Sequence, residues 1–128
     1  SNLARAARWI QERGPRYVVI KKGEHGAMLF TDDSIFFSPG YPLEDVVDPT
    51  GAGDAFAGGV LGHLARAADP GDPMELRRAI VYGCALGSFA CEAFGPARLG
   101  ELALADVEER VRRFRLLTYF EEHIGAEA

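Results

Sequence analysis

The sequence predicts a layered α/β domain, and three observations predict it. Short β-branched apolar runs crowd the first third of the chain, long helical patterns follow, and no repeat or low-complexity tract interrupts them. At 128 residues the chain fits one compact domain, large enough to bury a core.

The elements are read in chain order. Leu3, Ala6, Ala7 and Ile10 recur at helical spacing behind Asn2, an N-cap residue type, and Gly14-Pro15 stops that helix. A start inside a helix predicts further sequence upstream. Tyr17-Val18-Val19-Ile20 has the character of a buried strand. Gly23-Glu24-His25-Gly26 is a turn, and two strands, Ala27 to Phe30 and Ile35 to Phe37, flank the turn Thr31-Asp32-Asp33-Ser34. Pro39-Gly40 and Pro42 mark an irregular connection leading to a last short strand at Val46-Val47.

From Asp54 the pattern turns helical, with Phe56, Val60, Leu64 and Ala68 on one stripe. Asp69-Pro70-Gly71-Asp72-Pro73 breaks it, Asp72 as N-cap and Pro73 at the first helical position. The next helix runs to about Ala93, is nearly apolar after Arg78 and is expected to be buried, with Gly95-Pro96 ending it. A final amphipathic helix carries Val107, Val111 and Phe114, then Leu117 or Thr118. Gly58, Gly59 and Gly62 inside a helix cost roughly 1 kcal/mol each against alanine, which predicts close packing there.

Composition narrows the function classes. The formal charge of −5 argues against a nucleic-acid or anionic-membrane surface, while leaving room for a phosphate held by backbone amides. No apolar stretch reaches the roughly 20 residues that span a bilayer. Cys84 and Cys91 fall in one predicted helix about 10 Å apart, beyond disulfide reach, so a reducing, cytoplasmic setting is expected. His25 falls in the turn at 23–26, and His63 and His123 have no metal-site spacing.

The chemistry concentrates in Asp48-Pro49-Thr50-Gly51-Ala52-Gly53-Asp54-Ala55-Phe56-Ala57-Gly58-Gly59, placed between a short strand and a helix. A helix start offers unpaired N–H groups and the positive end of the dipole. Gly51 and Gly53 let an anion approach the amides closely. Asp54 is either a simple N-cap or, beside such an anion site, a general base for a hydroxyl attacking phosphate. A Walker A loop is absent, since no Gly-Lys-Ser/Thr occurs, and a dinucleotide-binding fingerprint begun at Gly51 fails at Phe56.

This segment resembles the C-terminal signature of the ribokinase-like, or PfkB-type, carbohydrate and nucleoside kinases, departing mainly at Pro49, where threonine is common. Val18-Val19-Ile20-Lys21-Lys22-Gly23-Glu24-His25-Gly26-Ala27 is similar to the strand and Gly-x-x-Gly turn that the family holds against the nucleotide. The resemblance implies the C-terminal part of a three-layer α/β/α sandwich that transfers a phosphoryl group from ATP, with Mg2+, to a hydroxyl of a sugar, nucleoside or related compound. It assigns Asp54 as general base, the amides of Gly51, Ala52 and Gly53 as anion hole, and Lys21, Gly23 and Gly26 as the nucleotide turn. Lys21 replaces a hydroxyl residue frequent in the family and is either a phosphate contact or a solvated strand-end lysine. Cys84 falls on the adenine-facing stretch of the buried helix or is a plain core cysteine. Many relatives hold a monovalent cation such as K+ beside the anion hole, and the matching positions are Asp48, Thr50, Ala90 and Gly95.

The family's upstream half, with its sugar-binding glycines, lid strands and Asn-x-x-Glu motif, is not in these 128 residues. The chain by itself is therefore expected to be inactive and to need that half as partner. Homodimers of the family form through the lid, which leaves oligomeric state and substrate identity open. Two other readings stand beside the kinase: a non-catalytic nucleotide-binding or interaction module of the same fold, and a dinucleotide-binding domain, which Phe56 disfavours.

Overall fold

A computed structural model describes residues 2–44, 46, 50–92, 102–123 and 125. Its sheet has three antiparallel strands in the order β1-β2-β3: β1 (Val18–Lys21), β2 (Ala27–Phe30) and β3 (Ile35–Ser38). Register pairs Val18 with Phe30 and Ile20 with Met28, so these four side chains share one face. That face is covered by α1 (Leu3–Gln11) through Ala7, which is fully buried against Val18 and Phe30. Asn2 caps α1 by accepting the Arg5 N–H at 3.0 Å. At the other end Gln11 Nε2 donates to the Arg16 and Thr31 carbonyls at 2.9 and 3.1 Å, tying the helix to the strand ends.

The opposite face presents Ala27 and Leu29 to α3 (Pro73–Glu92), flanked by α2 (Ala52–Arg66) and α4 (Leu104–Thr118). Helix, sheet and helices thus make three layers, as the sequence predicts. The Asp72 carboxylate accepts the Met74 N–H at 2.9 Å, and nine residues of α3, from Ala79 to Ala90, are buried. α4 buries Val107 and Phe114, and Asp106 accepts the Ala103 N–H at 3.1 Å. Leu117 and Thr118 both stay exposed.

Four expectations need correction. β1 starts at Val18 and is not buried throughout: Val19 is 41% exposed, because α1 covers one face of this edge strand and nothing comparable covers Val19. Val46 belongs to no strand, and Val47 lies outside the described residues, as do Ala93, Gly95 and Pro96. α2 begins two residues before Asp54 and ends before Ala68, where Ala67 turns extended. Of the three helical glycines, only Gly59 is packed tightly: a Cβ there would lie 2.7 Å from the Tyr82 carbonyl oxygen, whereas Gly58 faces open space and Gly62 has only an Arg66 nitrogen at 3.9 Å. No helix among the described residues is long and apolar enough to cross a membrane.

Candidate functional site

The start of α2 is built by backbone alone. Gly51 takes φ 83°, a left-handed conformation that costs a side-chain-bearing residue roughly 1–2 kcal/mol, and so brings the chain into the helix without a side-chain cap. Ala55 N–H closes the first turn on the Gly51 carbonyl at 2.9 Å. The N–H groups of Ala52, Gly53 and Asp54 precede that first intrahelical bond, and Gly51 at the N-cap has no side chain to cap them. A Cβ added at Gly51 or Gly53 would meet nothing within 4 Å among the described residues. Asp54 is therefore the third residue of the helix and not its N-cap, and its side chain is exposed.

Ala52 and Gly53 form one wall of a cleft of about 400 Å³, a size suited to a small-molecule ligand. A second wall is the turn after β1, where Gly23–His25 form a single 3-10 turn closed by His25 N–H on the Lys22 carbonyl at 3.0 Å, with Lys22 N–H donating to the Gly26 carbonyl at 2.7 Å across its ends. Gly26 has φ 104°, and a Cβ on it would sit 2.0 Å from the Ser38 carbonyl oxygen. The partner in this contact is Gly40, whose Cβ would lie 1.8 Å from the Glu24 carbonyl oxygen. Two backbones thus touch at a place where neither tolerates a side chain.

The third wall is α3, with Gly83, Cys84, Gly87 and Ser88. Burial pushes the Cys84 thiol above its usual value, opposed by a hydrogen bond with Ser38 and by the Lys21 charge. Lys21 Nζ lies 5.7 Å from the centre of the Phe56 ring and donates to the Gly23 carbonyl at 3.2 Å. The lysine therefore stands at the cleft with its ammonium held by the turn.

The cleft brings together six of the residues singled out from sequence: Lys21, Gly23, Gly26, Ala52, Gly53 and Cys84. Gly51 and Asp54 adjoin it along the chain at the helix start. Ala90 is buried in α3, Thr50 is exposed in the turn before α2, and Asp48 and Gly95 lie outside the described residues. Among the described residues no group of three or more His, Cys, Asp or Glu is arranged to hold a metal.

Several site residues escape sequence reasoning. Gly40, Gly83 and Gly87 read as ordinary loop or helix glycines, yet a Cβ at Gly87 would lie 3.4 Å from the Ala52 carbonyl oxygen, so α3 approaches the start of α2 at van der Waals range. The Gly-x-x-x-Gly spacing of 83 and 87 is the one signal available. His63 is also missed: its Nε2 is 3.0 Å from Glu75 Oε1 and its ring stacks on Tyr82 at 4.5 Å, joining the end of α2 to the start of α3. Hydrogen bonds from His63 and Arg78 hold the Glu75 carboxyl below its ordinary value.

Comparison with known proteins adds a family. The model of the pfkB family carbohydrate kinases matches residues 1–101. A cytidine kinase of Thermococcus kodakarensis is 44% identical over 72 residues, 55% of this chain and 24% of the relative. An aminoimidazole riboside kinase of Salmonella typhimurium is 41% identical over 87 residues, 68% of this chain and 27% of the relative. Among solved structures, a double mutant of fructokinase from Vibrio cholerae in its fructose, ADP and potassium ion bound form superposes with TM-score 0.74 at 27% identity, over 85% of this chain and 34% of that one. Aminoimidazole riboside kinase from Salmonella enterica, complexed with aminoimidazole riboside and an ATP analogue, gives TM-score 0.69 at 34% identity, over 93% and 37%. The chain thus spans about a quarter of the length of these curated relatives and about a third of these structures.

Proposed function

Given that the chain belongs to the pfkB family of carbohydrate kinases, we propose that it supplies the nucleotide- and phosphate-handling part of an ATP-dependent kinase acting on a hydroxyl of a sugar, nucleoside or related small molecule. The observation that carries this reading is the start of α2 at a glycine N-cap, opening beside a cleft of about 400 Å³ with free space over Gly51 and Gly53 among the described residues. Amides behind a glycine N-cap, at the positive end of a helix dipole, suit an anion in transfer.

In this reading bound ATP supplies the phosphoryl group, and the chain's own residues do the rest. The cleft between the Gly23–Gly26 turn and α3 receives the nucleotide, with Lys21 contributing a positive charge at its mouth. The N–H groups of Gly51, Ala52 and Gly53 donate toward the negative charge that spreads over the transferred group. Asp54, exposed one residue further along the first turn, accepts the proton of the attacking hydroxyl. Deprotonation strengthens the nucleophile as its oxygen bonds to the γ-phosphorus and the bond from that phosphorus to the bridging oxygen breaks, ADP leaving with the electron pair.

The donor set fits ATP better than it fits a resident metal. A nucleotide needs a cleft, a cation and convergent amides, all present here. Mg2+ is expected to accompany ATP, and Asp48, Thr50, Ala90 and Gly95 are the positions proposed for a monovalent cation such as K+. The residues that select the hydroxyl substrate are assigned to the part of the relatives that this chain does not span.

Two measurements test the proposal. Calorimetric titration should detect ATP binding to the 128-residue chain, while a panel of sugars and nucleosides should show no turnover by it. Activity should appear when the upstream half is supplied. ATP binding that persists without any phosphorylation after that reconstitution would favour a non-catalytic nucleotide-binding module instead.

A further inference from the structure

We infer that Arg110, on a helix beyond the residues the family model matches, is a positioning residue that sets the Tyr41 and Ser88 wall of the cleft, an inference that rests on the nucleotide reading above. Arg110 points inward from α4, its side chain only 15% exposed. Its guanidinium lies 3.7 Å from the centre of the Phe89 ring and 4.4 Å from that of Tyr41. Nη1 donates to Ser88 Oγ at 2.9 Å and pairs with the Glu92 carboxylate. One planar cation thereby joins α4, two turns of α3 and the loop after β3.

Both groups it holds face the cleft. Tyr41 is half-buried, and its ring is also tilted against Phe114 of α4 at 5.3 Å, so α4 grips this ring at two points. Ser88 Oγ donates to the Ala85 carbonyl at 2.6 Å and accepts from Arg110, which fixes the hydroxyl proton toward α3 and away from a ligand. Ser88 therefore offers the cleft no hydroxyl donor, and the Tyr41 ring gives this wall its aromatic character. Such a surface suits the planar base of a nucleotide and not its phosphates, which the start of α2 receives. A lysine could keep the charge but not the planar stack between two rings.

The test compares ATP with inorganic tripolyphosphate as probes for the intact chain, by calorimetry well below the melting temperature. Arg110→Met should weaken ATP about tenfold, the loss of one base–aromatic contact, and leave tripolyphosphate within about twofold. In a Tyr41→Ala background Arg110→Met should have no further effect on ATP, because Arg110 acts through that ring. Should Arg110→Met fail to fold, Arg110→Lys carries the same comparison while keeping a cation opposite Glu92. Equal weakening of both probes, or an undiminished Arg110 effect without Tyr41, would overturn the positioning role. Failure of the unmodified chain to bind ATP at all would instead overturn the nucleotide reading and this role with it.

Discussion

Two groups of glycines within one helix pair behave in opposite ways. In the middle of α2 and α3, Gly59 and Gly83 exist because there is no room: a Cβ at Gly59 would lie 2.7 Å from a backbone oxygen, and one at Gly83 would lie 2.8 Å from both the Phe56 ring and Val60. At the start of α2, Gly51 and Gly53 stand clear of every other described residue. The first group closes the helix pair, and the second keeps it open at one end. Gly51 is needed there for its left-handed backbone, whereas neither conformation nor packing among the described residues requires a glycine at 53, as expected if an anion approaches the amides there. That contrast separates the scaffold from the site more sharply than residue type does.

The largest expected effect lies just inside the open end. In the kinase reconstituted with its upstream half, Asp54→Asn should lower kcat by roughly 10²–10⁴ and leave ATP affinity nearly unchanged. Near-normal turnover would reduce Asp54 to an ordinary first-turn acid. Next comes the closed group. Gly59→Ala should destabilise the fold by about 1–3 kcal/mol by overpacking against rigid backbone, despite a helix-propensity gain of about 1 kcal/mol. Denaturant unfolding reads this directly, and a neutral result would show that α2 and α3 have slack between them.

Gly53→Ala sharpens the contrast from the other side. With nothing for the Cβ to meet, stability should hold or rise by up to about 1 kcal/mol, yet ATP should bind more weakly because the methyl group enters the space over the amides. Unchanged ATP affinity would mean that the open space at Gly53 is not where the nucleotide sits. The smallest effect concerns the far end of α2. Hydrogen bonds to His63 and Arg78 lower the Glu75 pKa in the folded state, so this carboxylate stabilises the fold above its ordinary value of 4.5, and the contribution is lost as pH falls through the lowered value. Thermal melts from pH 7 to pH 3 should therefore converge for Glu75→Gln and the unmodified chain at the acid end. Parallel curves would show that the bond carries no linkage.

Much of this was legible beforehand, and for local reasons. Asn2 and Asp72 act as caps because a short polar side chain reaches an N–H two or three residues ahead, whatever the rest of the fold does. The turn at Thr31–Ser34 closes within itself, with Thr31 N–H donating to the Ser34 carbonyl at 3.0 Å. The apolar run of α3 announced a buried helix. Less legible was where helices begin. α2 starts at Ala52 because Gly51 takes a left-handed turn, which residue types permit without dictating. Nor did the histidine count foretell that His63 would find Glu75, twelve residues away across a break.

The sequence by itself determined the local chemistry of this protein: a glycine-flanked helix start, an acid at that start, and a Gly-x-x-Gly turn after a strand. It determined these because each depends on contacts within a few residues. Only the tertiary structure decided that the turn, the helix start and α3 share one cleft, that Gly26 and Gly40 meet backbone to backbone, and that Arg110 reaches across to Tyr41 and Ser88. Those contacts join residues 14 to 69 positions apart, where the packing of whole helices, and not the preference of any residue, sets the distance.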